Sequence, residues 1–339
     1  MKFPPRKVTE PDDRFPELLF MIPCHFFCLS SVSAIVLASF ANLHADDVKV
    51  VKDVAYLGAD RAEKLDVYLP PDKFVRPLPA LLWIHGGAWV HGEKSGKREQ
   101  NIGENLAKHG YVVISIDYKL GKNSPGIPPD PPVSQDPPPP APLTTASPQA
   151  DIPWPQNIAD CKSALRYVRK EAAQYGIDPN RIAVGGGSAG GHLCLILGLS
   201  GNSPEMNKLG LYPEQSSKVS CIIDFYGATE FVIPRRIDIV SGATPEETGR
   251  NIKAATPATY LAKDSPPVLV VHGDADQTVS IEASKRLVDA MDKMGIPHQF
   301  IIVSGAPHAF DLQPKQMDLR PAVLEFLGKY LGKPQEKSG

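Results

Sequence analysis

From Val48 to the C-terminus, short β-rich apolar runs alternate with stretches in which apolar residues recur every three or four positions. Strands and helices that alternate in this way leave little choice of architecture: an α/β fold whose mostly parallel sheet carries helices on both faces. Eight strands are expected, at 48–57, 64–69, 80–85, 111–118, 181–185, 220–226, 268–272 and 299–303. Continuous apolar runs such as Val268-Leu269-Val270-Val271 mark strands buried on both faces, whereas Lys64-Leu65-Asp66-Val67-Tyr68-Leu69 alternates as an outer antiparallel strand would. A helix over 156–175 carries Ile158, Cys161, Leu165, Val168 and Ala172 on one stripe and closes at Gly176. Leu287, Met291 and Met294 form a second stripe, and Val323, Phe326, Leu327, Tyr330 and Leu331 a third. Residues 228–262 show neither period and are expected to cover a site.

Two segments stand outside this pattern. Residues 1–45 begin with Lys2, Arg6, Lys7 and Arg14, run uncharged from Leu18 to Ala45 and end in small residues before Asp46-Asp47. They read as a signal peptide cut after Ala41 or Ala45, with Met21 an alternative start. Export to the periplasm or the medium is therefore expected; the competing reading is an uncleaved anchor over 18–43, the only route to membrane contact. Residues 122–155 hold 13 of the 35 prolines, including Pro137 to Pro140, and are expected to form an exposed insert, a spacer or active-site rim rather than a docking ligand. About 260 residues remain for a core, the size of one α/β domain over 46–334, followed by a tail at 335–339.

The 36 basic and 38 acidic residues are interleaved, which excludes a nucleic-acid footprint. Beyond the N-terminal segment, which holds Cys24 and Cys28, the cysteines are Cys161, Cys194 and Cys221. They form neither a disulfide framework nor a zinc pattern and read as small buried hydrophobes.

Strand 181–185 runs into Gly186-Gly187-Ser188-Ala189-Gly190 and then into an apolar helix, a G-x-S-x-G pattern in strand–turn–helix context. Such a turn lifts Ser188 clear of the sheet, and no lysine follows the glycines as a phosphate loop would require. A serine nucleophile needs a base and the base an orienting acid. Ser304-Gly305-Ala306-Pro307-His308 follows one strand and Gly273-Asp274-Ala275-Asp276 another. Asp276, further out on its turn, is the expected partner of His308; Asp274 reads as a cap, and Asp224 is a distant third. Strand 80–85 ends in His85-Gly86-Gly87-Ala88-Trp89, so Gly87, Ala88 and Ala189 are the expected amide donors to an oxyanion. Trp89 either lines the substrate pocket or packs. His85, His192 and His272 read as core or turn residues, and no histidine pair suggests zinc.

Leu65-Asp66-Val67-Tyr68, the His85-Gly86-Gly87 turn, Ile116-Asp117-Tyr118, Gly186 to Gly191, His272 to Asp276 and His308 together resemble the α/β-hydrolase-fold serine esterases. The likeness is to the branch shared by hormone-sensitive-lipase-like carboxylesterases and feruloyl or acetyl-xylan esterases. It implies a Ser188–His308–Asp276 triad, an oxyanion hole at the His85 to Ala88 turn and no metal or organic cofactor. Ala88 stands where the lipase-like motif has a third glycine, which leans toward the feruloyl/acetyl-xylan side; the proline-rich insert lies outside the usual pattern. Hydrolysis of short-acyl esters through an acyl-enzyme is expected, on a small molecule or an acetylated or feruloylated polysaccharide. A serine peptidase, an arylformamidase and a non-catalytic module of the same fold are the alternatives. Nothing in the sequence sets the oligomeric state.

Overall fold

Every apolar run expected to be a strand is one. The structure, a computed structural model, describes residues 47–121, 154–229 and 244–338. The expected signal segment and all of the insert but Trp154 and Pro155 lie outside these residues. Among the described residues the strands are β1 (Lys49–Val54), β2 (Leu65–Leu69), β3 (Leu78–Ile84), β4 (Val112–Ile116), β5 (Ile177–Gly187), β6 (Ile222–Phe225), β7 (Val268–Gly273) and β8 (His298–Val303). The helices are α1 (Lys97–Ala107), α2 (Gln156–Lys170), α3 (Ala172–Tyr175), α4 (Ala189–Leu199), α5 (Pro204–Asn207), α6 (Pro245–Ala255), α7 (Ile281–Met294) and α8 (Arg320–Leu331). One sheet runs in the order β1-β2-β4-β3-β5-β6-β7-β8. The pairs β1–β2 and β2–β4 are antiparallel and all the others parallel.

Side chains of a strand alternate between faces, and both faces here are covered. In β3, Leu82 and Ile84 join a core with Leu165 of α2 and Leu193 of α4. Their neighbours Leu81 and Trp83 join a second core with Ile102 and Leu106 of α1 and Phe326 and Leu327 of α8. Each such aliphatic side chain contributes about 1.5–3 kcal/mol by leaving water. Cys161, Cys194 and Cys221 are free and buried, as small hydrophobes should be.

Three local features differ from the pattern read in the sequence. β2 is antiparallel, but it lies one strand in from the edge, and Asp66 is buried against Lys94 Nζ at 3.0 Å. β1 is the edge, with five of its six residues exposed. The helix expected over 156–175 breaks at Glu171 (φ −94°, ψ 17°) into α2 and α3, and Gly176 closes α3 in the left-handed region at φ 64°. Residues 245–255, where the sequence shows no period, form helix α6. Of α6 only Ala255 is buried, so no apolar stripe exists to be read. Its start is set instead by Thr244, whose hydroxyl accepts from Glu247 N at 3.2 Å, with Pro245 in the first turn. The chain end pairs with an early loop: Val75 N donates to Gln335 O and Lys337 N to Lys73 O, both at 2.8 Å. Among the described residues no helix is long and apolar enough to cross a membrane.

The parallel strands end on one side of the sheet, where β3, β5, β7 and β8 hand over to the loops that carry the chemistry.

Candidate active site

Ser188 sits between β5 and α4 at φ 56° and ψ −118°, a strained backbone for a residue with a side chain. The surrounding contacts explain why it is tolerated. A Cβ on Gly190 would collide with the Ile84 carbonyl of β3, and one on Gly186 with the Gly190 backbone. The two glycines thus let strand and helix meet closely enough to hold the turn. Ser188 N donates to Phe225 O at 2.9 Å, pinning the turn to β6.

The loop after β8 brings His308 back over this turn. Its Nε2 lies 2.9 Å from Ser188 Oγ and its Nδ1 2.6 Å from Asp276 Oδ2. An ionised carboxylate only accepts, so Nδ1 carries the proton and Nε2 is left to take one from the serine hydroxyl. Tyr226 packs edge-on against the His308 ring, with centroids 4.9 Å apart, and its hydroxyl donates to Phe310 O. Burial alone would raise the Asp276 carboxyl; hydrogen bonds from His272 and His308 outweigh it and hold the group well below the usual carboxylate range. Thr278 N and Val279 N donate to the other oxygen at 2.8 and 2.9 Å.

The two carboxylates of the β7 turn have separate tasks. Asp274 accepts from Gly305 N at 2.5 Å, within the loop that carries His308. Asp224, the third candidate, is wholly buried in β6 and accepts from Gly227 N at 3.0 Å.

Beyond β3, Gly87, Ala88 and Trp89 follow one another at φ 108°, 51° and 62°. The Gly87 carbonyl turns back to accept from Val90 N and His91 N, and a Cβ on Gly87 would strike the His91 carbonyl. Among the described residues no backbone carbonyl takes the N–H of Gly87 or Ala88. The N–H of Ala189, first in α4, is one that a helix leaves unpaired. Two strands that lie side by side, with Ile84 opposite Gly186, set these amides beside the serine turn. Among the described residues no group of three or more His, Cys, Asp or Glu side chains could hold a metal ion.

With this geometry in place, the BD-FAE family model matches residues 65–128 and 146–291, more than half of the chain. The chain belongs to the BD-FAE family. Ser188 and Asp276 fall within the matched span and His308 beyond it. Among curated proteins it is similar to Esterase LipC of Mycobacterium tuberculosis, 29% identical over 75% of this chain and 59% of that protein. It is also similar to the probable carboxylic ester hydrolase LipM of the same organism, 28% identical over 77% and 56%. The chain thus spans somewhat more than half the length of these relatives. Among solved structures, a truncated carbohydrate esterase from gut microbiota superposes with a TM-score of 0.66 at 26% identity, covering 84% of this chain and 97% of that one. Thermogutta terrifontis Est2 with propionate bound gives 0.60 at 26% identity, covering 86% and 97%. The α/β-hydrolase fold expected from the sequence is the fold observed.

Within this BD-FAE chain the remaining aromatic and histidine residues divide clearly. Trp89 is packed, edge-on to His192 with centroids 5.3 Å apart, rather than open to solvent. His192 Nε2 donates to Ala255 O at 2.7 Å, and burial pushes its imidazole down to about 4, so the ring is neutral. His85 stacks on Tyr118 at 4.4 Å. His272 is buried as expected, yet its Nε2 lies 3.2 Å from Asp276 Oδ2. Because His272 lies in a strand and Asp276 on the turn after it, no periodicity in the sequence signals this contact.

Proposed function

We propose that the protein is a serine carboxylic-ester hydrolase acting on short-acyl esters. The observation that carries the reading is the continuous hydrogen-bonded chain from Ser188 through His308 to Asp276, built on a turn whose strain is held by Gly186 and Gly190. Ser188 Oγ adds to the ester carbonyl carbon while its proton passes to His308 Nε2. The developing oxyanion is met by the N–H groups of Gly87, Ala88 and Ala189, each donor of this kind worth about 2.7–4 kcal/mol. Collapse expels the alcohol, which takes the proton from His308, and leaves the acyl group on Ser188. Water then attacks the acyl carbon, His308 receives its proton, and the acid leaves as the serine is restored. Asp276 stays ionised throughout and holds the His308 tautomer.

Similarity to a carbohydrate esterase and to an esterase with propionate bound supports small acyl groups, with acetylated polysaccharide as the substrate class. The test is initial rates on p-nitrophenyl esters from acetate to dodecanoate, followed by acetyl-xylan, with Ser188→Ala as the blank. Rates highest at the short chains and absent in the variant are expected. Ester activity that survives in Ser188→Ala, or a preference for peptide amides or N-formyl aromatic amines, would overturn the assignment.

A further inference from the structure

His272 is in β7, opposite Ile302 of β8, and its side chain is fully buried. Three polar atoms surround the ring. Nδ1 lies 2.8 Å from Ser284 Oγ of α7, and Nε2 lies 3.0 Å from the Val279 carbonyl and 3.2 Å from Asp276 Oδ2. A carbonyl only accepts, so Nε2 carries the hydrogen and Nδ1 accepts from the Ser284 hydroxyl. The tautomer is therefore fixed by neighbours that play no part in the reaction. Its N–H donates to the Val279 carbonyl and also faces, at 3.2 Å, the carboxylate oxygen that receives the N–H of His308 at 2.6 Å.

We infer that His272 is a positioning residue for the Asp276 carboxylate: a second imidazole N–H that locks Oδ2 in place and keeps it an acceptor from His308. Resting on the hydrolase reading above, this brings a fourth N–H to the carboxylate, one that is shared with the Val279 carbonyl. Oδ1 takes the N–H groups of Thr278 and Val279, and Oδ2 takes the two histidines. A carboxylate has about four lone-pair directions, and N–H groups facing both oxygens oppose its rotation about its last bond. The second donor also draws electron density from Oδ2, which favours leaving the proton on His308 as the imidazolium forms. Ser284, in turn, stops the His272 ring from presenting its lone pair to the carboxylate.

His272→Phe removes the donor while filling the space, and His272→Gln returns an N–H at similar reach. The full chain is assayed with p-nitrophenyl acetate and with a fluorophosphonate that labels Ser188, alone and in an Asp276→Ala background. His272→Phe is expected to lower kcat and the labelling rate roughly ten- to a hundredfold with KM within about twofold, the factor for one hydrogen bond to a buried charge. His272→Gln should recover most of the loss, and in Asp276→Ala the His272→Phe change should cost less than about twofold. Wild-type kcat in His272→Phe, or an equal loss in both backgrounds as mere packing would give, overturns the inference. Should His272→Phe fail to fold, Ser284→Ala decides: a fall in kcat of roughly three- to tenfold that vanishes with Asp276→Ala supports it, and an unchanged kcat overturns it. Failure of the fluorophosphonate to label the unaltered protein would instead overturn the hydrolase reading itself.

Discussion

His192 donates a 2.7 Å hydrogen bond to the carbonyl of Ala255, tying the helix that starts at the serine turn to the last turn of α6. Because burial holds this imidazole neutral down to about pH 4, protonation must be forced on it as acid is added. A base with a lowered folded pKa contributes stability above its free value of about 6.5 that is lost as pH falls toward 4. Urea midpoints at pH 7 and 4.5 should therefore fall further apart for the wild type than for His192→Gln, which has no proton to gain.

Asp224 has the opposite sign. Burial raises its carboxyl to about 7, against the lowering influence of His272 and the Gly227 N–H. The folded state keeps a proton that the unfolded chain releases near 4, so stability declines as pH rises from about 4 to about 7. Asp224→Asn, neutral throughout, should gain on the wild type across that window, read as a difference in melting temperature between pH 4.5 and 7.5 that shrinks in the variant.

Replacing members of the hydrogen-bonded chain should cost rate rather than fold. Ser188→Ala and His308→Ala are expected to lose roughly a millionfold in kcat on a short p-nitrophenyl ester, and Asp276→Asn about ten-thousandfold. Melting temperatures close to wild type would show that the loss is chemical. Asp274→Asn leaves the ring's own partner untouched and should cost less than about tenfold.

Gly190→Ala places a Cβ against the Ile84 carbonyl, a backbone atom that cannot swing aside. It should destabilise by at least ~2 kcal/mol, since β3 and α4 must separate. Gly295→Ala is the control. That residue closes α7 at φ 68° with nothing within 4 Å of a new Cβ, so only backbone strain of about 1 kcal/mol is expected. Equal denaturation midpoints for the two variants would contradict the close approach.

What could be read in the sequence follows from how each feature is buried. Val268 to Val271 face a core on both sides, so the strand is an unbroken apolar run. Ser188 is announced by glycines that contacts with β3 demand, and Asp276 is separable from Asp274 by its reach along the turn. α6 is invisible to periodicity because its surface is mostly wet; only Thr244-Pro245-Glu246-Glu247 marks its start. The break at Glu171 leaves the stripe of α2 in register and so hides in the pattern. The contact of His272 depends on residues 274–279 folding back across the end of β7, a tertiary event. In the linear pattern a histidine inside an apolar strand looks like any packed ring.

Gly186 and Gly190 answer to the approach of a strand and a helix, not to the hydroxyl between them. A chain that exchanged Ser188 for alanine would still be obliged to keep both glycines in order to fold. Mining of genomes by the glycine pattern will therefore gather catalytically silent descendants together with working enzymes. Sorting the two requires reading the middle letter jointly with His308 and Asp276, since those positions carry no comparable steric obligation to persist once turnover is lost.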